Sequence, residues 1–352
     1  MGKLLASVLL VAVLIISVNV VEQPLALGSW LAWGLDDIAT HSLSEKSVPW
    51  IFEAKQMLFH RYQDLITHSD QHQAPTEVRS LTPEEYSYEL VRQTTVEPLV
   101  IRGLFSDAAA IKKWSDMRYL NDTIGSVMCP VVLTDANRFE IHREAKSYQD
   151  IFNLLQDEPK SSTYVSGDQF VFESEAGKQI LQDLELENHL GEAFMSSPLY
   201  SSDELYLFLG NKGNSGTSWH CAPNRSMFVQ IMGRKRWTFI HPRYSLLLHP
   251  QRSHLYSRIF LASDSFQYFN NHEEKNRGRN NTIHQDGEIF AHIPRQQVVL
   301  EPGDALTVPS WYWHHVENLP KDNSDDSSLI IGVDVDTKVW NHSWLYALFP
   351  SL

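Results

Sequence analysis

The sequence predicts a mainly β protein with flanking helices, in which the strands close into a double-stranded β-helix, or jelly roll, behind an N-terminal helical region. Beyond residue 204, short apolar runs follow one another closely and are bounded by Gly, Pro, Asn or Asp, as strands joined by turns are. This part of the chain has no βαβ alternation, which favours antiparallel pairing and a closed barrel without free edges. The predicted strands span residues 205–209, 227–232, 236–240, 297–300, 305–308 and 329–335.

The segments before residue 205 alternate helices and short strands. Apolar residues between 51 and 65 recur at helical spacing and predict a helix. Thr82-Pro83-Glu84-Glu85 combines a capping residue, a proline and an acidic residue, which predicts a second helix running through Leu90 and Val91. Further predicted elements are a strand over 97–103, helices over 108–120 and 147–155, and a strand over 164–166.

Two segments have features of their own. The strand predicted over 127–133 contains Pro130, which cannot donate a backbone hydrogen bond. We therefore expect this strand to lie at a sheet edge or to begin after the proline. Residues 270–287 are polar and rich in Asn, which predicts a long surface insertion.

Composition excludes several classes of protein. The 352-residue chain is 43% hydrophobic with ten tryptophans, which indicates a well-packed globular protein. Its formal charge of −14 and the absence of a basic stripe argue against nucleic acid as a partner. Two cysteines, Cys129 and Cys221, cannot provide a disulfide framework, and we do not expect a bridge between them because Cys221 lies on a candidate site strand.

The N-terminus predicts entry into the secretory pathway. Lys3 precedes an apolar run from Leu4 to Val21, long enough for a signal peptide or for an uncleaved signal anchor, and small residues follow at 26–29. Both alternatives stay open, so the protein is expected in the endoplasmic reticulum lumen, secreted, or held in the membrane by this segment alone. Glycosylation sequons begin at Asn121, Asn280 and Asn341 and are compatible with this route.

Two histidines in strand-like contexts form an incomplete metal motif. His220 lies in Trp219-His220-Cys221-Ala222, and His314 follows 94 residues later in a Trp-Tyr-Trp-His-His run. Only a fold that returns strands to one barrel mouth could bring them together. A mononuclear iron oxygenase completes such a pair with a carboxylate two residues after the first histidine. Here that position is Ala222.

Several spaced motifs resemble the JmjC / cupin-like family of Fe(II)- and 2-oxoglutarate-dependent oxygenases, over roughly residues 80 to 345. The nearest similarity is to the small protein hydroxylases. The expected organisation of the chain is a signal peptide or signal anchor at 1–28, a helical N-terminal region at 29–95 and, as the resemblance implies, a JmjC/cupin-like jelly-roll domain at 96–345. The motifs are Thr217-Ser218-Trp219-His220, Phe228-Val229-Gln230, Gly233-Arg234-Lys235-Arg236-Trp237, Glu301-Pro302-Gly303-Asp304 and the run ending in His314-His315.

The resemblance also implies roles for individual residues. His220 and His314 would hold Fe(II), while Lys235 and Thr217 would bind the distal carboxylate of 2-oxoglutarate. Tyr164 would add a second hydroxyl by analogy. Independently, strand alternation places Lys235 on the face opposite its basic neighbours and on the same face as Trp237, which favours one inward lysine. Ser226 is a weaker candidate for the same site.

Four other residues near these motifs have ordinary structural interpretations. Asp304 is expected to cap a turn, because aspartate after Pro-Gly commonly bonds nearby backbone. His315 should face away from His314 on a strand and is interpreted as packing or support. Neither Cys221, which should point away from His220, nor Glu317 convincingly replaces the missing carboxylate.

Ala222 leaves three hypotheses open. The protein is a hydroxylase of a protein or small molecule in the secretory pathway that completes its site with water or a substrate group. Alternatively, chloride fills the position, as in the 2-oxoglutarate-dependent halogenases. In the third hypothesis the metal site has decayed, and the barrel binds a ligand or partner without catalysis, as a ligand-binding cupin would. Two neutral imidazoles hold iron less tightly than a set that includes a carboxylate.

Overall fold

The structure is a computed structural model. The residues it describes form two compact units, a larger one between 76 and 239 and between 296 and 337, and a smaller one between 240 and 252, 261 and 263, and 293 and 295. The described residues are 75–87, 97–134, 141–157, 163–196, 200–211, 216–222, 225–242, 244, 248, 250–252, 261–263, 293–309, 311–319 and 329–337.

Short strands and one turn of helix begin the described chain. The strands are β1 (Thr76–Glu77), β2 (Arg79–Leu81) and β3 (Leu99–Ile101). The expected helix start is present as a 3-10 helix, Pro83–Glu85, and the Thr82 N–H donates to the Glu85 carboxylate at 2.8 Å. The predicted continuation is wrong at Tyr86, whose backbone is extended. Leu90 and Val91 lie outside the described residues.

Seven helices follow among the described residues, interleaved with strands β4 (Met128–Thr134), β5 (Ile141–Ser147) and β6 (Thr163–Asp168). The helix predicted over 108–120 is two helices, because Asp116 begins the second by accepting the Arg118 N–H at 2.9 Å. The helices are α1 (Ala109–Lys113), α2 (Met117–Ile124), α3 (Tyr148–Asp157), α4 (Phe170–Glu173), α5 (Glu175–Asp183), α6 (Leu186–Leu190) and α7 (Glu192–Met195).

Strands dominate the described residues from Tyr200 onwards. They are β7 (Tyr200–Gly210), β8 (Gly216–Cys221), β9 (Arg225–Met232), β10 (Arg234–Ile240), β11 (Pro250–Arg252), β12 (Leu261–Ser263), β13 (Gln296–Leu300), β14 (Ala305–Val308), β15 (Trp313–Leu319) and β16 (Ile330–Thr337). In the smaller unit, β11 and β12 pair in the antiparallel direction.

Eight of these strands alternate between two sheets. The first sheet has the order β2-β3-β14-β9-β16-β7-β6-β4-β5, and the second contains β1-β13-β10-β15-β8 in the larger unit. Consecutive strands β7, β8, β9 and β10 thus fall in the first, second, first and second sheet, and the same exchange recurs through β13–β16. This exchange is the architecture of a jelly roll. The predicted fold class is confirmed, although the N-terminal helical region lies largely outside the described residues.

The first sheet has two chemically distinct faces. Leu205, Leu207 and Leu209 of β7 belong to the core beneath the helices. The same core takes Met227, Val229 and Ile231 of β9 and Ile331, Val333 and Val335 of β16. The alternate residues of these strands therefore face the second sheet across the barrel interior. An apolar cluster that includes Phe228, Trp237 and Val316 fills part of this interior.

The position predicted for the Pro130 strand is wrong, because β4 lies between β6 and β5. Strand β5 pairs along the whole of β4, with Ala145 opposite Pro130. Strand β6 pairs only with Val132 and Leu133, so the proline precedes the part of β4 that is paired on both sides. Cys129 and Cys221 are both buried, and neither is part of a disulfide in the described structure.

The leader predicted at the N-terminus lies outside the described residues, as does the insertion predicted over 270–287. Within the described part of the chain, no helix combines the length and apolar character that crossing a bilayer requires.

Candidate functional site

Two histidine rings meet where β8 and β15 pair. His220 and His314 are direct partners in this antiparallel pair, and their ring centroids lie 4.1 Å apart. Residues 94 positions apart in sequence are therefore adjacent in space. Two imidazoles at this separation can contribute to one metal site.

Hydrogen bonding fixes the proton on one of these rings. Nδ1 of His314 lies 2.9 Å from the Tyr312 carbonyl oxygen, which can only accept, so Nδ1 carries the proton and Nε2 is the potential metal ligand. Burial and the neighbouring His220 hold the pKa of His314 well below its usual value. The ring is therefore neutral, as a metal ligand must be. Trp237 stacks on it at 5.4 Å between centroids.

The main chain at Ala222 is held by a hydrogen bond. Its carbonyl oxygen accepts the Trp311 N–H at 2.6 Å, and Trp311 has a φ of 62°, a left-handed conformation that is unfavourable for a bulky residue. The fold thus fixes the backbone where a carboxylate would complete the motif. The described residues contain no group of three His, Cys, Asp or Glu side chains placed to hold a metal.

Three of the residues interpreted as structural have structural contacts. His315 stacks against Trp219 at 5.7 Å, and burial lowers its pKa to about 4. Glu317 pairs with Arg236 at 3.4 Å. Asp304 caps its turn by accepting the Glu301 and Gly103 N–H groups, at 3.0 and 2.9 Å, and it also pairs with Arg102.

Lys235 is fully buried in the barrel interior. Its Nζ donates to Asn318 Oδ1 at 2.9 Å and to the Tyr164 hydroxyl at 3.3 Å, and it lies 5.2 Å from the Tyr164 ring centroid. These groups are neutral, and the described residues place no carboxylate within ion-pair distance of Nζ. Burial accordingly lowers the pKa of Lys235 to about 7. Arg234 and Arg236 lie on the opposite face, paired with Glu301 and Glu317.

Asn318 is a site residue that the sequence reasoning missed. It is buried on β15, accepts from Lys235, and donates through Nδ2 to the Asn211 carbonyl at 3.1 Å. Alternation along β15 could have found it, because residues 314, 316 and 318 share one face.

A β-bulge decides the orientation of Thr217. His220 lies opposite His314, but Thr217 lies opposite Val316, so β8 uses three steps where β15 uses two. Opposed residues share a face. Thr217 therefore lies on the same face as His220, despite a spacing of three that would separate them on a regular strand.

The structure separates the two other candidate hydroxyls. Tyr164 of β6 contacts Lys235, as described above. Ser226 of β9 instead hydrogen-bonds the Asp334 carboxylate of β16.

The sequence reasoning also missed a second hydrogen-bond donor in the barrel interior, the indole of Trp237. The indole Nε1–H of Trp237 is buried and has no acceptor among the described residues. Trp237 lies two residues beyond Lys235 on the same face of β10, and its ring packs against Phe228 at 4.9 Å between centroids. Two buried donors thus line one wall of the barrel, and neither has an anionic partner within the part of the chain that the structure describes.

Comparison with known proteins identifies the family. Residues 84–337 match the model of the cupin-like domain. The chain belongs to the cupin-like family. This family is JmjC-type, so the predicted family is confirmed, and its members are usually Fe(II)- and 2-oxoglutarate-dependent oxygenases.

Individual cupin-like relatives are distant. JmjC domain-containing protein D of Dictyostelium discoideum is 24% identical over 237 residues, which cover 63% of this chain and 49% of that protein. HSPB1-associated protein 1 of Rattus norvegicus is 26% identical over 127 residues, or 35% of this chain and 23% of that protein. The Danio rerio homolog is 26% identical over 169 residues, with 43% and 34% covered. The matched region therefore spans half or less of each of these curated relatives.

Proposed function

We propose that this chain is an Fe(II)- and 2-oxoglutarate-dependent oxygenase that hydroxylates a protein or a small molecule. Lys235 carries the proposal, because a buried ammonium without a carboxylate partner is costly unless an anionic ligand offsets its charge. Trp237 supports it with a buried N–H for which the described residues provide no acceptor. A dicarboxylate such as 2-oxoglutarate supplies the charge and the acceptors that this wall lacks.

His220 and His314 are the residues that would hold the metal. Their ring separation and the protonation of His314 at Nδ1 suit ligation. When bound, iron with 2-oxoglutarate supplies the oxidising chemistry of the family. The residues of the chain bind and orient: Lys235, Asn318 and Tyr164 form the anion end of the site, and Thr217 lies on the same face as the histidines.

Binding of 2-oxoglutarate is the first test. Isothermal titration calorimetry in the presence of Mn²⁺ should show binding to the wild-type chain and none to Lys235→Met. Arg234→Met is the matched control, since it removes a neighbouring positive charge from the opposite face of β10. Equal affinity of Lys235→Met and wild type would overturn the assignment of Lys235.

A second candidate function is a non-catalytic barrel that binds 2-oxoglutarate or a similar acid. Ala222 favours it, together with the lack of a three-ligand group among the described residues. Succinate formation with Fe(II) and ascorbate separates the two functions. Turnover by the wild-type chain supports the oxygenase, whereas binding without succinate supports the binding protein.

The third possibility is that chloride fills the metal coordination position that a carboxylate at residue 222 would otherwise take. It predicts that iron affinity rises with chloride concentration and that Ala222→Asp abolishes this dependence. Indifference to chloride in the wild-type chain would exclude it.

We also propose that the protein acts in the secretory pathway. The support is the apolar run that follows Lys3, together with the sequons. Expression of the full chain in cultured cells, followed by endoglycosidase digestion, tests this. A mobility shift is expected, and a chain unaffected by the enzyme and present in the cytosol would contradict the proposal.

A further inference from the structure

The barrel wall contributed by β16 is acidic. Because Ile331, Val333 and Val335 pack beneath the helices, Gly332, Asp334 and Asp336 face the interior. Pairing agrees: Asp334 lies directly between Phe228 of β9 and Tyr206 of β7, and Phe228 belongs to the interior cluster. The acidic wall, Asp334 and Asp336, therefore belongs to the first sheet, whereas the donors Lys235 and Trp237 belong to the second.

Asp334 has an unsatisfied oxygen. Its Oδ1 is inaccessible to solvent and has no hydrogen-bond partner among the described residues. The contacts of this carboxylate are the Ser226 hydroxyl and the backbone N–H of Val335. Burial raises the pKa of Asp334 to about 7. A buried acceptor without a donor costs stability, and such groups in native proteins call for an explanation, of which a bound ligand is one.

Charge selects the kind of group that would bind there. Asp336 is 7% exposed and follows Asp334 on the same face, so two carboxylates line this wall. In their ionised form these carboxylates repel anionic groups, including 2-oxoglutarate, and a cation beside Asp334 favours that ionised form. A positively charged nitrogen donates hydrogen bonds and also offsets the negative charge, whereas a neutral amide does only the first.

We propose that Asp334, supported by Ser226, binds an ammonium or guanidinium group of the substrate inside the barrel. This inference rests on the proposed function, since it names the substrate class of that site. The substrate is then a lysine or arginine side chain or a small amine. Asp334 holds it from the first sheet, while the second sheet holds the cosubstrate.

Matched small probes test the proposal. We would measure the binding of N-acetyl-lysine methylamide, N-acetyl-arginine methylamide and N-acetyl-norleucine methylamide by calorimetry, with Mn²⁺ and with or without 2-oxoglutarate. Norleucine has an apolar side chain similar in length to that of lysine and lacks its charge. At least one charged probe should bind about tenfold or more tightly than norleucine, a difference of roughly 1.4 kcal/mol.

Two variants assign the preference to this carboxylate. Asp334→Asn keeps the shape and should reduce the preference to about twofold or less, with 2-oxoglutarate binding retained. Glu317→Gln is the matched control, because it removes a half-exposed carboxylate paired with Arg236 and should leave the preference unchanged.

The outcomes separate this inference from the proposed function. Equal binding of charged and norleucine probes, no binding of either charged probe, or an unchanged preference in Asp334→Asn would each overturn the subsite. A preference without any binding of 2-oxoglutarate would support the subsite and overturn the proposed function. Binding of 2-oxoglutarate without the preference would do the reverse.

Discussion

Burial of the Lys235 ammonium makes its protonation depend on what else occupies the barrel. The folded pKa is about 7, below the ordinary 10.5, so the ligand-free protein holds the proton less tightly than the unfolded chain. An anion beside Nζ favours the charged form. Binding of 2-oxoglutarate should therefore draw a proton from solution at pH 8.

Calorimetry at pH 8 in two buffers of different ionisation enthalpy measures this uptake. We expect up to about one proton per ligand, falling towards zero as the pH is lowered well below 7, where Lys235 is already charged. Arg234→Met should show the same uptake. A buffer-independent binding enthalpy at pH 8 would contradict the argument.

Lys235 should also reduce the stability of the ligand-free protein. Because its folded pKa is depressed, the penalty is full below pH 7 and disappears as the pH rises towards 10.5; the shift corresponds to roughly 5 kcal/mol. Lys235→Met removes the penalty but leaves Asn318 Oδ1 without its donor, which costs about 1–3 kcal/mol. Denaturant unfolding at pH 7 should show a net gain of roughly 2–4 kcal/mol. A loss of stability would mean that the ammonium stabilises the fold.

Residues on regular strands could be oriented from the sequence, whereas residues whose position depends on pairing could not. Alternation placed Lys235 on the face opposite Arg234 and Arg236, as the structure shows. The same alternation along β15 places Asn318 on the face of His314, so its position was also predictable from the sequence. The vacant acceptor of Asp334 depends on three paired strands and has no signal in the sequence.

At the scale of elements, the bulge in β8 is the feature that sequence reasoning could not supply. It exists only because β8 and β15 pair with a shifted register, and it turns Thr217 to the face of His220. Strand pairing likewise explains why the edge position predicted for the Pro130 strand is wrong, since β5 and β6 flank β4 on its two sides. A helix start was correctly predicted at Thr82, because capping is local, but the end of that helix was not.

The close packing of Gly332 on β16 against the Phe228 ring on β9 leads to an element-scale prediction. A Cβ at Gly332 would lie 2.1 Å from Cζ of Phe228, whose ring lies 5.8 Å from Lys235 Nζ. Gly332→Ala should therefore displace the ring, cost about 1–3 kcal/mol of stability and weaken 2-oxoglutarate binding. Chemical denaturation and calorimetry measure the two effects.

Gly191→Ala is the control for added volume, since a Cβ at Gly191 meets no atom within 4 Å. Its positive φ of 81° means that it tests backbone strain without the collision with a ring. If both variants lost affinity for 2-oxoglutarate equally, the packing argument for Gly332 would fail.

For the whole molecule, the fold class could be predicted from composition and periodicity, because a succession of short strands without βαβ alternation favours a closed antiparallel barrel. The order of the strands could not, since it depends on long-range pairing. The two-sheet exchange then brings the histidines together and separates the basic wall on β10 from the acidic wall on β16. Sequence could not show this separation, since Lys235 and Asp334 are far apart in the chain and belong to different sheets.

This charge distribution predicts that metal and cosubstrate bind interdependently. His220 and His314 are neutral ligands and Ala222 adds no charge, so a divalent cation is not neutralised by its protein ligands, while Lys235 alone faces a dianion. Each ligand therefore lowers the electrostatic cost of binding the other in the buried interior. In thermal denaturation, Mn²⁺ and 2-oxoglutarate together should raise Tm by more than the sum of their separate effects.

In Ala222→Asp, Mn²⁺ alone should raise Tm, because the new carboxylate supplies the missing negative charge. His314→Ala should lose the metal-dependent part in both backgrounds, which distinguishes this site from other histidines. Purely additive shifts in the wild-type chain would show that the two ligands do not share one electrostatic environment.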